Sequence, residues 1–199
     1  YMAYLAPGFI IMVIITNAYN NVASSFFSER FQSSHHEFVW APVSIHTVIC
    51  GFVAGGILRG LLTGFIVTVI ALLYTKIHLA HPITMIVITT LTASLFAIAG
   101  FLNALFATRF DSIATIPNFV LTPLIYLGGV FYSIELLPPF WQEMSLFNPI
   151  LYIVNAFRYS MLGIADVTAT TALSATLLAN IILYSTCVYL VRQGVGVSE

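Results

Sequence analysis

Charge is what this sequence has least of. Six Lys and Arg and seven Asp and Glu make up 7% of 199 residues, against 60% apolar residues and a mean hydropathy of +1.01. A water-soluble domain carries about 25% charged residues. A soluble fold of this size has no way to hide so much apolar side chain, so the solvent for most of the chain is lipid. The net charge of −1 excludes a nucleic-acid-binding footprint. Cysteine is scarce too: Cys50 and Cys187 both sit inside apolar runs and read as small packing residues, not as a disulfide or metal pair. No Gly-x-x-x-x-Gly-Lys-Ser/Thr segment occurs, so the chain has no phosphate-cradling loop of that kind. The apolar runs hold no carboxylate and no readable Ser/His/Asp arrangement, which leaves a membrane-embedded enzyme without its reacting groups. His78 and His81 lie beside Lys76 and Pro82 without further ligands, and fit solvated loop histidines better than a metal pair.

Present in their place are long uncharged runs: Tyr1 to Ser28, Phe38 to Leu58, Ile77 to Thr108, Ser112 to Ile134 and Val167 to Val191. About 20 mostly apolar residues cross a hydrocarbon core as a helix. Lipid also forces backbone groups to bond within their own segment, which favours helix over strand here. The expectation is an all-α integral membrane protein, one transmembrane domain over residues 1–199, with spans at about 4–23, 46–74, 83–107, 116–132 and 172–191. The chain begins with Tyr1 inside apolar sequence and reads as the C-terminal part of something longer.

Sidedness follows Lys and Arg in short loops. Arg30, Arg109 and Arg192 fall on one side and Lys76 and Arg158 on the other, a narrow vote for the first side being cytoplasmic. In the first connection, residues 24–44, Phe26, Phe27, Phe31, Phe38 and Trp40 alternate with charge and Pro42 closes the segment. This suits a short amphipathic helix on the membrane or against a partner. Gly56, Gly60 and Gly64 repeat every four residues along one helix face. Such a face serves close packing within the chain or between subunits, and packing within the chain is the expectation. Ala93, Ala97, Gly100 and Ala104 form a second small-residue set. Arg59 inside the second span calls for a protein interior, a wet cavity or an interface. Pro117, Asn118, Pro123, Gly128 and Gly129 predict a bent or broken fourth span, either a kinked packing helix or the lining of a route. The long connection, residues 133–171, holds Leu137-Pro138-Pro139-Phe140-Trp141 and an apolar stretch after Asn148-Pro149 that is too short to span. These pieces read as re-entrant or interfacial helices. Arg158 within it is expected to pair with a helix C-terminus or a carboxylate.

The run Phe119-Val120-Leu121-Thr122-Pro123-Leu124, then Gly128-Gly129-Val130-Phe131-Tyr132 and Leu137-Pro138, resembles the permease subunit of type-2 ABC exporters, the multidrug and polysaccharide-export group. The likeness continues through Asn148-Pro149-Ile150, Tyr152 and Phe157-Arg158-Tyr159 to Gly163, and it covers essentially the whole chain. The segment with Glu29, Arg30, Phe31, Glu37, Trp40 and Pro42 is similar to the family's cytoplasmic coupling segment. Family members carry an N-terminal amphipathic helix and one more span ahead of the position of Tyr1, and they often have other residues where His35-His36 stand here. The resemblance implies a homodimeric permease in a bacterial inner membrane, surrounded by lipid, with no nucleic-acid partner. It implies no cofactor in this chain, because ATP and magnesium belong to a separate ATP-binding subunit. It also makes residues 24–44 cytoplasmic, and makes Pro123, Gly128, Gly129, Asn148, Pro149, Arg158 and Gly163 part of an external gate. On the residues alone, an ion-coupled secondary transporter or a structural or channel-forming subunit stays open.

Overall fold

The structure is a computed structural model that describes residues 2–31, 44–75, 79–132, 137–164 and 167–195. All regular structure among them is helical. Helices α1 (Met2–Phe31), α2 (Ile45–Thr75) and α3 (Pro82–Phe106) come first. A composite segment follows, made of α4 (Phe110–Ile116), a π-helical turn (Pro117–Leu121) and α5 (Thr122–Leu127). Two shorter helices, α6 (Pro139–Leu146) and α7 (Pro149–Leu162), precede α8 (Ala169–Arg192). Among the described residues five segments are long and apolar enough to cross a membrane: Tyr4–Arg30, Ile45–Thr75, Pro82–Phe106, Phe110–Leu127 and Ala169–Arg192.

Apolar burial gives little advantage when the alternative is lipid, so helices here associate by close approach and by polar contacts. The sequence supplies small residues for that approach. Gly56, Gly60 and Gly64 of α2 are buried and face α1 and α3 of the same chain. A methyl group at Gly60 would stand 3.1 Å from the Ala18 Cβ and 3.3 Å from the Ala93 Cβ. Gly100 of α3 lies against the backbone carbonyl of Tyr19 in α1, so no side chain fits there. Away from this seam α2 is exposed at Leu58, Leu62, Phe65, Ile66 and Leu73. Three buried threonine hydroxyls are satisfied locally: Thr68, Thr92 and Thr176 donate to the carbonyls four residues back. Asn180 of α8 donates to the Leu91 carbonyl of α3 at 3.0 Å and ties those helices together.

Two spans differ from expectation. The first helix does not stop at Ala23 but runs on to Phe31, so Glu29 and Arg30 ride on its last turns and not in a separate segment. Hydropathy falls after Ala23 while helix-forming conditions persist. Ser24 bonds back to the Asn20 carbonyl at 2.7 Å, and Phe26 packs on Phe52 and Phe101, with Phe27 beside Phe110. The fourth span begins at Phe110 and ends at Leu127, several residues earlier at each end than 116–132. Asp111 in its first turn favours an early start, the Asn103 amide holds the Ile113 carbonyl at 2.9 Å, and Gly128-Gly129 ends it. Nor is the span broken. Pro123 has no N–H for the Phe119 carbonyl, and the turn just before it widens to the π form, in which both the N–H and the hydroxyl of Thr122 reach the Pro117 carbonyl.

Candidate functional site

The residues singled out in the long connection and at the end of the fourth span meet at one end of the bundle, where α1 begins. Asn148 is the N-cap of α7: its side-chain carbonyl accepts from the Ile150 N–H at 3.0 Å, and Pro149 follows at the first helical position, where no N–H is required. The Asn148 Nδ2 donates to the Leu124 carbonyl at 2.7 Å. That carbonyl is available because the Gly128 N–H turns to Ile125 and tightens the last turn of α5. Gly163 ends α7 in the left-handed conformation (φ 72°) and donates to the Tyr159 carbonyl. The Asn-Pro start and the Gly stop thus delimit a 14-residue helix, about 21 Å long and too short to cross. Ten of its residues are buried, and it lodges against α1, α3 and α8.

Arg158 lies in the middle of that helix and is 1% exposed. Its Nη2 donates to the Gly129 carbonyl at 2.9 Å, one residue beyond the C-cap of α5. Its guanidinium carbon lies 4.0 Å from the centroid of the Tyr4 ring of α1. Among the described residues, one partner is therefore backbone at a helix C-terminus, with an aromatic face beside it. Gly129 has φ 73°, which turns the chain so that this carbonyl faces inward. Gly128 allows close approach, because a Cβ there would sit 2.7 Å from the Ile150 Cγ2. The short loop before α3 joins the same cluster: the His81 N–H donates to the Ser160 carbonyl at 2.8 Å, and the His81 ring stacks on Tyr159. Pro123 stands apart, exposed on the composite span a turn below.

At the opposite end, Arg30 spreads Nη1 over the carbonyls of Leu105 (3.0 Å), Ala104 (3.4 Å) and Ala107 (3.4 Å). These belong to the C-terminus of α3, where unpaired carbonyls and the helix dipole favour a cation. Glu29 is exposed beside it. Among the other residues of the coupling segment, Glu37, Trp40 and Pro42 lie outside the described residues, as does the Phe31 side chain.

Sequence reasoning did not single out a cleft of about 240 Å³ lined by Asn17, Asn20, Asn21 and Ser24 of α1, Arg59 of α2, and Phe110, Ile113 and Ala114 of α4. Arg59 Nη1 donates to the Asn21 side-chain carbonyl at 3.1 Å, which places it on the wall of this cleft. A readable signal did exist: Asn17, Asn20, Asn21 and Ser24 fall at i, i+3, i+4 and i+7, one face of a helix. Tyr4 left no such trace, since its partner lies more than 150 positions away. Among the described residues no group of three or more His, Cys, Asp or Glu side chains is placed to hold a metal.

The family model described as ABC-2 type transporter matches residues 1–162. The inner membrane transport permease YadH of Escherichia coli (strain K12) is 47% identical over 196 residues, covering 98% of this chain and 77% of that protein. Nodulation protein J of Rhizobium leguminosarum bv. viciae is 22% identical over 164 residues, covering 82% of this chain and 63% of that protein. The same-named protein of Neorhizobium galegae is 21% identical over 194 residues, or 97% and 74% of the two chains. The match of the family model runs through four of the five candidate spans and through α7 with its Asn148 and Arg158, so this chain belongs to the ABC-2 type transporter family.

Proposed function

We propose that this chain acts as the membrane-spanning permease subunit of an ATP-driven exporter in a bacterial inner membrane, paired with a second copy of itself and coupled to a separate ATP-binding subunit. ATP and magnesium would reside on that partner, and no catalytic step is assigned to this chain. The observation that carries the coupling is the continuation of α1 past its apolar stretch to Phe31, with Arg30 clamped on the end of α3. A push delivered just beyond Phe31 is carried along a rigid helix and into its neighbour together. Arg30, Arg109 and Arg192 all lie at that end of the bundle, which supports placing it in the cytoplasm. The Arg158 cluster then lies at the external end and serves as the gate, released or reseated as α1 tilts. The composite fourth span, with its exposed outer face, and α1 form the walls of the route.

Purification of the chain with its ATP-binding subunit tests this reading. Glu37→Ala should weaken the complex and lower ATP-dependent transport in vesicles. Unchanged assembly together with unchanged transport removes the docking role of residues 24–44. Transport driven by an ion gradient in the absence of any ATPase overturns the reading as a whole.

A further inference from the structure

We infer that the cleft between α1, α2 and α4 is a head-group site for an anionic amphiphile, whose phosphate or carboxylate rests against Arg59 while its apolar chain lies along α2. Three of the four α1 residues that line the cleft are asparagines, and the fourth is Ser24. Part of their hydrogen-bonding capacity is used within the chain: Asn17 donates to the Val13 carbonyl at 2.9 Å, Ser24 donates to Asn20 at 2.7 Å, and Asn21 accepts from Arg59. The Asn20 amide has no hydrogen bond among the described residues, and the Arg59 guanidinium has N–H groups beyond the one that Asn21 takes. Among the described residues no carboxylate lines the cleft. A cation at the depth of a membrane-spanning helix is screened less than in bulk water and attracts an anion more strongly.

Shape narrows the occupant. The cleft holds about 240 Å³, below the range of about 300–1,000 Å³ that encloses a whole drug-sized ligand, so it takes a head group and leaves the remainder outside. Gly55, one turn before Arg59, leaves that wall open, since an added Cβ would meet only the Asn21 amide nitrogen at 3.8 Å. Leu62 and Ile66, at i+3 and i+7 from Arg59, continue the same face of α2 and are exposed, which supplies an apolar track for the chain. The inference rests on the permease reading only for its side of the membrane, which makes the cytoplasmic leaflet the source.

The test uses the permease with its ATP-binding subunit in neutral detergent and follows displacement of a fluorescent phosphatidylglycerol. Dodecyl phosphate should displace it, while the zwitterionic dodecylphosphocholine should be far weaker. Arg59→Gln should weaken dodecyl phosphate by about tenfold or more, Arg59→Lys should retain most of the affinity, and Asn20→Leu should lose several-fold. Arg192→Gln, at the far end of α8, should bind as the unaltered protein does. Equal binding by Arg59→Gln, or equal displacement by the zwitterion, overturns the inference. So does displacement by inorganic phosphate alone at the same concentration, because the site then reads a free anion. If Arg59→Gln yields no folded complex, Asn20→Leu decides, and unchanged affinity there sinks the idea. Absence of a co-purifying ATP-binding subunit defeats the permease reading, whereas Arg59-dependent displacement by the chain alone still upholds the cleft.

Discussion

Arg158→Met is the sharpest probe of the cluster at the start of α1. Methionine keeps much of the stem packing but removes the bond to the Gly129 carbonyl and the contact with Tyr4. A hydrogen bond to a charged group contributes about 1.5–3 kcal/mol, and a desolvated cation–aromatic pair up to about 2 kcal/mol. Relief from burying the charge returns part of this. The net loss should be about 2–4 kcal/mol, much of it from the Gly129 carbonyl left buried and unbonded. With about 2–4 °C per kcal/mol for a chain of this length, the unfolding midpoint in detergent should fall by about 5–15 °C. Arg158→Lys should fall between, because a shorter point charge cannot both reach the carbonyl and cover the ring. Tyr4→Leu removes only the ring and should cost about 1–2 kcal/mol. The double variant Arg158→Met/Tyr4→Leu should lose less than the sum of the two by at least about 0.5 kcal/mol, as contacting residues do. A midpoint for Arg158→Met equal to that of the parent, or strict additivity in the double variant, would refute the reasoning.

Other positions give independent checks. Gly163→Ala places a methyl group in ordinary contact with the Ala80 Cβ at 3.8 Å and at φ 72°, so any loss is backbone strain, expected at about 1 kcal/mol, with Gly163→Asn milder; the thermal midpoint measures both. Gly100→Ala drives a methyl group into the Tyr19 backbone carbonyl and should cost about 1–3 kcal/mol, whereas Gly51→Ala, with nothing within 4 Å, should be neutral or slightly stabilising in the same assay. Arg30→Gln loses the charge-assisted clamp on the end of α3; transport per ATP hydrolysed should drop several-fold while the complex still assembles, and an unchanged ratio would count against the lever.

Much of this was legible before any coordinates. Helix was dictated by lipid, and Arg158, Asn148 and Gly163 were recognisable as a pattern in the chain. The destination of each was not. The Arg158 side chain joins the Gly129 turn, 29 positions away, to a ring near the start of the chain, and no local period encodes such a pairing. The misplaced ends of the two spans have one cause: hydropathy reports where lipid ends, while a helix ends where its hydrogen bonds and packing do, and Phe26 and Phe27 carry α1 beyond the apolar run.

The sequence by itself determined the solvent, the helical class, the number of candidate crossings and the small-residue faces, because all of these follow from transfer energies and from a fixed helical period. Only the tertiary structure decided what those faces meet. It turned the Gly56, Gly60 and Gly64 stripe toward α1 and α3 of the same chain, it laid Arg30 on the carbonyls at the end of α3, and it gathered three asparagines and one arginine around a cleft. Contacts between helices depend on how rigid cylinders seat against one another, and the order of residues along each cylinder does not state that.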